Sequence, residues 1–190
     1  MYNCDHNLFL SLYFKGGEAM DSIMLLCSGK LTWVPLYLLI IYLVWRKVGW
    51  KNMLIFIALV VTAVALTDIV AGIFKHTGLL KNVLPNFTPR LRPMYDPSFE
   101  GVLHVVKWGG RYGTISAHAA TTAAIALLAG GIIRKHWFTL LASVWVALVC
   151  YSRIYLAYHF PLDILWGLTL GLTFGGLMLL LYNRIKKQTP

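Results

Sequence analysis

The sequence predicts an all-α fold, a polytopic transmembrane helical bundle of five spans preceded by N-terminal interfacial helices, and three observations carry that prediction. Hydrophobic residues make up 58% of the 190 positions and charged residues only 13%, so water is not the chain's main solvent. The apolar residues gather into runs of about the length an α-helix needs to cross a bilayer, roughly 17 to 25 residues for about 30 Å of hydrocarbon. The basic residues fall in short blocks between those runs. An open sheet is excluded inside lipid, because its edge N–H and C=O groups would go unpaired.

The first span runs from about Leu31 to Trp45, with Lys30 and Arg46 placed to snorkel at its ends. The second, Met53 to Phe74, is interrupted only by Asp68. An intramembrane carboxylate points to function by default, and its bland alternative is a hydrogen bond to a neighbouring helix. The third span, Ala119 to Ile133, is rich in Ala and Gly, which suits helix packing better than lipid contact. The fourth runs from Trp137 to about Tyr151. The fifth covers Pro161 to Tyr182, where Gly167, Gly171 and Gly175 make two GxxxG steps. The stretches Leu8 to Phe14 and Ile23 to Cys27 are apolar but too short to cross, so residues 1–30 read as interfacial helices. A sixth span there is the alternative. By size the chain is a single domain, with 31–187 as its transmembrane core.

The net charge of +10 is not a nucleic-acid footprint, since no polar face gathers the basic residues. Arg46, Lys47 and Lys51 join spans one and two; Arg134, Lys135 and His136 join three and four; Arg184, Lys186 and Lys187 follow span five. Five spans put these three groups on one side, which the positive-inside rule makes cytoplasmic. The long connection from Lys75 to about Ile115 falls on the opposite side, yet it is also basic. Charge that opposes the topology rule needs a local use, and an anionic substrate supplies one. Cys4, Cys27 and Cys150 have neither metal-ligand spacing nor an even count. The N-terminus lacks a basic n-region and does not read as a cleaved signal peptide.

Three clusters lie at the outer ends of the spans. The first ends in Arg90-Leu91-Arg92-Pro93; the second, Gly113 to His118, opens span three; the third holds Ser152, Arg153, His159 and Asp163. Pro161 suits a first helical turn, so His159 sits just before a helix N-terminus with Asp163 in its first turn. A carboxylate there can accept a hydrogen bond from one imidazole nitrogen and leave the other as a nucleophile. Ser116 is an N-cap candidate that would aim backbone N–H groups at the same pocket. His118 could protonate a departing oxygen, a contribution of about 10²- to 10⁴-fold. Arg92, Arg153 and one lysine can neutralise phosphoryl oxygens. Those parts suffice for phosphoryl transfer without metal or other cofactor. A metal site from His118, His159 and Asp163 is the disfavoured alternative, because the neighbouring cations oppose it.

The ordered motifs resemble the type 2 phosphatidic acid phosphatase superfamily, whose signature is Lys-x6-Arg-Pro, Pro-Ser-Gly-His and Ser-Arg-x5-His-x3-Asp. The likeness covers about Asp68 to Gly171. Ser152, Arg153, His159 and Asp163 match the third motif in full, and Arg92-Pro93 ends the first. The resemblance implies that His159 attacks phosphorus to form a phosphohistidine, Asp163 orients it, His118 protonates the leaving group, and Lys, Arg and Ser116 bind phosphate. Ile115-Ser116-Ala117-His118 departs from the second motif by putting Ala117 where the family has glycine, which would be costly if that residue needed positive φ. The first motif is stretched: Lys75 stands seventeen residues before Arg92 and Lys81 eleven, against seven in the family. Lys75 is favoured because it directly ends span two.

The expectation is therefore a membrane lipid phosphatase at the outer leaflet of a plasma membrane. The resemblance implies a lipid substrate such as undecaprenyl diphosphate, phosphatidylglycerol phosphate or lipid A phosphate. A lipid-linked phosphotransferase and a non-catalytic lipid-binding or transport protein are the alternatives. Tyr155 and Tyr158 are candidates to line a lipid entrance, while His6, His76, His104 and His136 belong to no constellation.

Overall fold

The computed structural model describes residues 2–75, 80 and 86–188. Its helices are α1 (Tyr2–Leu12), α2 (Gly17–Ser28), α3 (Val34–Ile73), α4 (Ala117–Ile133), α5 (His136–Tyr155) and α6 (Pro161–Gln188), with short 3₁₀ turns at Leu31–Trp33, Pro93–Tyr95 and Pro97–Phe99. Among the described residues the only β pairing is an isolated bridge between Leu91 and Tyr112.

Helix α3 supplies the first two predicted spans. Its 40 residues would reach about 60 Å if straight, twice the hydrocarbon thickness. Gly49, at φ 80° and ψ 169°, breaks it, in a region of φ that glycine adopts without penalty. The two arms then fold back on each other, so that Tyr37 and Ile40 of the first face Phe56 and Val60 of the second. Helices α4, α5 and α6 match the remaining three spans, giving five membrane-crossing segments among the described residues.

The α4–α6 contact is the closest in the bundle, and the predicted glycine steps explain it. A Cβ on Gly175 would lie 2.8 Å from the Ala124 carbonyl oxygen, and one on Gly167 would lie 3.0 Å from the Ala119 Cβ. Gly171 meets the Ala120 backbone in the same way. Side chains at these positions would force the helices apart, so the small residues on both sides permit contact that lipid-facing Leu or Val would prevent.

The N-terminal helices are more than surface anchors. Leu8, Leu10, Ile23 and Leu26 are exposed, as interfacial helices require. The opposite sides of α1 and α2 are built into the protein. Phe9 is fully buried, with its ring 5.3 Å from Phe99 and 5.4 Å from Phe160. His6 pairs with Asp96 at 2.9 Å, His104 with Asp21 at 3.1 Å, and the Tyr155 hydroxyl donates to Asp21 at 2.6 Å. His6 and His104, left without a role by the sequence, thus tie α1 and α2 to the long connection before α4.

One end of the bundle carries the basic connections. The Lys47 ammonium donates to the Ile133 carbonyl, which puts the 46–51 turn beside the Arg134-Lys135 turn. The Arg134 backbone, in the left-handed region at φ 51°, caps α4 through the Gly130 carbonyl. The other end gathers the C-terminus of α3, the N-termini of α4 and α6 and the C-terminus of α5. Single cysteines introduced at Lys135 and Lys107, both exposed, in a variant lacking Cys4, Cys27 and Cys150, should react with a membrane-impermeant maleimide from opposite sides of sealed vesicles. Labelling of both from one side would overturn the five-span arrangement.

Candidate active site

The site is built where the N-termini of α4 and α6 meet. The Ser116 N–H donates to the Asp163 carbonyl at 3.0 Å, and the Ser116 hydroxyl accepts from the Ala119 N–H at 3.4 Å as the α4 N-cap. Ala117 then begins α4 without positive φ, so the glycine expected there is not required. The chain enters α6 from the end of α5 through a tight turn. The Tyr158 and His159 N–H groups both donate to the Arg153 carbonyl at 3.0 and 3.2 Å, and Ala157 adopts φ 54°. That left-handed alanine costs about 1 to 2 kcal/mol. The turn it permits delivers His159 to the base of the site.

His159 is 1% exposed. Its Nδ1 lies 2.8 Å from the Gly113 carbonyl and 3.4 Å from Asp163 Oδ2. A carbonyl can only accept, so Nδ1 carries the proton and Nε2 presents the lone pair. The expected Asp163 contact is present, but it is the longer of the two. The carbonyl of Gly113 is a partner the sequence could not announce, since every residue has one. Gly113 itself leaves room for this arrangement: a Cβ there would lie 2.8 Å from Arg92 Cγ and 3.2 Å from His159 Nδ1. Burial, followed by the nearby charges of Arg153, Lys75 and Arg92, holds the His159 imidazole well below its usual range. It is neutral at physiological pH.

Asp163 is fixed from several directions. Its Oδ2 accepts the Phe160 N–H at 3.0 Å, and its Oδ1 lies 3.4 Å from Arg90 Nη1. Arg90 in turn pairs with Asp5 at 2.5 Å, and Asp5 Oδ1 accepts the Leu162 N–H at 3.0 Å. The Arg90 guanidinium also lies 3.7 Å over the Phe160 ring. Arg90 and Asp5 were missed by motif reading. Arg90 was visible as a second arginine beside Arg92, whereas nothing in the sequence ties Asp5 to a residue more than 150 positions away.

Three cations converge above the histidine. Arg153 is 6% exposed, its guanidinium donates to the Ser28 hydroxyl, and its Nε has no hydrogen-bond partner among the described residues. Arg92 is held by the Tyr112 carbonyl, which accepts from Nε at 3.1 Å. The backbone pairing between Leu91 and Tyr112 sets that register, with the Arg92 N–H donating to the Arg111 carbonyl and the Gly113 N–H to the Arg90 carbonyl. Both guanidinium groups lie over the Tyr158 ring, Arg153 at 4.3 Å and Arg92 at 5.4 Å from its centroid. Tyr158 and Tyr155 are therefore buried supports rather than the lipid entrance anticipated for them.

Lys75 completes the group. Burial, then the Arg92 and Arg153 charges, push its ammonium down to about 8, with Asp68 and Asp163 pulling the other way. Its electrostatic partners place it in the site, while Lys81 lies outside the described residues. Lys75, Arg92 and Arg153 act on both His118 and His159, so the two histidines share one cationic neighbourhood. His118 borders a cavity of about 260 Å³ that also touches Ser28, Lys30 and Asp68. The Ser152 hydroxyl turns back to the Val149 carbonyl at 2.7 Å and does not face the site. No metal-binding cluster of three His, Cys, Asp or Glu side chains is present among the described residues.

So many cations with so few carboxylates repel one another, and binding an anion relieves that repulsion. A tetrahedral oxyanion fits: guanidinium groups bind its oxygens, and a neutral imidazole with a locked tautomer can attack its central atom.

Comparison with known proteins agrees. The family model of the PAP2 superfamily matches residues 56–187, a range that contains Lys75, Arg92, Ser116, His118, Arg153, His159 and Asp163. A lipid A 4'-phosphatase of Porphyromonas gingivalis is 32% identical over 175 residues, covering 90% of this chain and 70% of that protein. One from Bacteroides thetaiotaomicron is 28% identical over 191 residues, covering 95% of this chain and 80% of the relative. The crystal structure of a transmembrane PAP2-type phosphatidylglycerolphosphate phosphatase from Bacillus subtilis shares the fold, with a TM-score of 0.63 at 19% identity over 100% of this chain and 87% of that one. The chain belongs to the PAP2 superfamily, as an integral membrane phosphatase that acts on a phosphorylated lipid.

Proposed function

We propose that this enzyme removes a phosphate group from lipid A or a closely related phosphorylated lipid, through a phosphohistidine on His159, at the outer face of a plasma membrane. The observation that carries the mechanism is the neutral, buried His159, whose Nδ1 is committed to the Gly113 carbonyl and whose neighbourhood holds Lys75, Arg92 and Arg153. The choice of lipid rests on the two lipid A 4'-phosphatases, which align over nine-tenths or more of this chain. The compartment rests on the basic connections, which collect at the end of the bundle away from the site.

In the first step Nε2 of His159 attacks phosphorus in line with the leaving oxygen. The N–P bond forms as the P–O bond to the lipid alcohol breaks, and His118, which takes up a proton when the negative charge of the bound phosphate offsets the surrounding cations, gives that proton to the departing alkoxide. Asp163 and the Gly113 carbonyl stabilise the positive charge that develops on the imidazole. Arg92, Arg153 and Lys75 neutralise the phosphoryl oxygens at the moment their charge is redistributed. The Ser116 oxygen already accepts from Ala119, which leaves its O–H to donate to phosphate. In the second step His118, now neutral, takes a proton from water as it attacks phosphorus, and inorganic phosphate and free His159 result.

A phosphate-release panel on detergent-solubilised protein tests the substrate class. Lipid A should release phosphate faster than undecaprenyl diphosphate or phosphatidylglycerol phosphate, without added metal and in the presence of chelator. His159→Ala should lower release by about 10³-fold or more. Full activity in His159→Ala, or activity lost with chelator, would contradict the mechanism. A preference for the diphosphate would contradict the choice of lipid.

The pH profile tests the lysine. Lys75 binds phosphate only while protonated, and its ammonium is held down to about 8, so its contribution is complete below that pH and lost as pH rises through it. Burial holds His159 well below its usual range, so its titration does not set this limb. The kcat/KM for phosphate release should therefore fall above about pH 8, and Lys75→Arg should move that alkaline limb upward because arginine keeps its charge. An unchanged limb in Lys75→Arg would remove Lys75 from the phosphate site.

A further inference from the structure

The cavity beside His118 lies between the α2–α3 junction and α4. Its wall carries His118 and, among the described residues, none of Arg92, Arg153 or His159. Ser28 stands between the two compartments, since it lines the cavity and accepts from the Arg153 guanidinium. The phosphoryl group therefore belongs on one side of His118, and the cavity opens on the other.

In-line transfer gives that geometry a meaning. Nucleophile and leaving oxygen occupy opposite sides of phosphorus, and the group that protonates the leaving oxygen must touch it. If His159 attacks and His118 donates, the space beyond His118 receives the lipid alcohol. Its lining suits one. The deeper wall is apolar, formed by Trp33, Tyr37, Val64 and Ile125. Ile125 lies seven residues along α4 from His118, about 10 Å at 1.5 Å per residue, so the slot descends toward the bilayer interior.

One residue in this lining has no other assignment. Asp68 sits in the second arm of α3, five residues before its end, about 8 Å into the span. It makes no hydrogen bond to another described residue, and it is an exposed residue that borders the cavity. Its charge is offset by Lys75 from the end of the span, but its carboxylate oxygens have no hydrogen-bond donor among the described residues, and a ligand can supply one. It faces the space where the carbons next to the phosphoester would sit. A second phosphate there would meet an acidic group, whereas a hydroxyl or amide N–H would meet an acceptor. Lys30 lines the same cavity and its charge reaches His118, which offsets the effect of Asp68 on the phosphate itself.

We propose that this cavity is the leaving-group subsite and that Asp68 is a specificity-determining residue, accepting a hydrogen bond from a hydroxyl or amide N–H carried near the phosphoester by the lipid alcohol. The inference rests on the assignment of His159 and His118 made above. It predicts a substrate class: monophosphate lipids whose alcohol bears a neutral hydrogen-bond donor.

Two monophosphate lipids of matched chain length separate the possibilities. Ceramide 1-phosphate carries an amide N–H and a hydroxyl close to its phosphate, and phosphatidic acid carries neither. The wild type should favour ceramide 1-phosphate in kcat/KM by about tenfold or more, the scale of one well-placed hydrogen bond in a dry site. Asp68→Leu should bring that ratio to within about threefold of unity by slowing ceramide 1-phosphate alone. Asp68→Asn keeps the shape and one acceptor oxygen, so it should retain an intermediate preference and provides the reading if the leucine variant does not fold. A wild type without preference, or Asp68 variants that slow both lipids in proportion, would overturn the proposal while leaving the phosphatase mechanism intact. Phosphate release from neither lipid and none from lipid A, with His159→Ala indistinguishable from wild type, would instead be the failure of the mechanism, and the subsite would fall with it.

Discussion

The backbone contact between the N-terminal halves of α4 and α6 is the constraint on which the site depends. Gly167, Gly171 and Gly175 let α6 lie against the Ser116, Ala120 and Ala124 backbone, and the Ser116 N–H closes the contact on the Asp163 carbonyl at 3.0 Å. His118 is two residues into one helix and His159 two residues before the other. Holding the helices at backbone distance therefore holds the two histidines around one small volume. Larger side chains at the glycines would widen that volume, and phosphoryl transfer tolerates little error in the line of attack.

Electrostatics then decides what the volume can do. Lys75, Arg92 and Arg153 concentrate positive charge around an imidazole that is buried and carries no charge of its own. Their mutual repulsion is unfavourable in the unliganded protein, and a phosphate relieves it. Burial first, and then the same cations, keep His159 unprotonated, so in the proposed mechanism the groups that bind phosphate also help to prepare the nucleophile. Asp163 is held by partners of its own, although its charge still reaches Lys75 and Arg92. Arg90, Asp5 and the Phe160 N–H hold it at the rear of the imidazole, where a carboxylate stabilises a cation rather than quenching the phosphate site.

Much of this was legible in the chain. Span lengths, glycine steps and basic connections depend on local composition, and they gave five helical segments whose ends fall close to those observed. Arg153, His159 and Asp163 were legible because a turn and one helix bring neighbours in sequence together. What was hidden is non-local or carried by the backbone. Gly113 acts through its carbonyl oxygen, which no side-chain pattern reports. Asp5 reaches Leu162 and Arg90 only because α1 docks against the start of α6. Tyr158 reads as an interfacial aromatic until Arg92 and Arg153 are seen to lie over its ring. The stretched first motif was ambiguous in sequence, and Lys75 gains its place from the charges around it.

The central claim is that His159 becomes covalently phosphorylated. Rapid alkaline quenching during turnover of lipid A, followed by mass spectrometry of the peptide that spans Ser152 to Asp163, tests it most directly. The account predicts a phosphoramidate on His159 that accumulates when His118→Gln slows its hydrolysis and is absent in His159→Ala. Turnover at the wild-type rate with no phosphorylated histidine, or with phosphate on another residue, would contradict it.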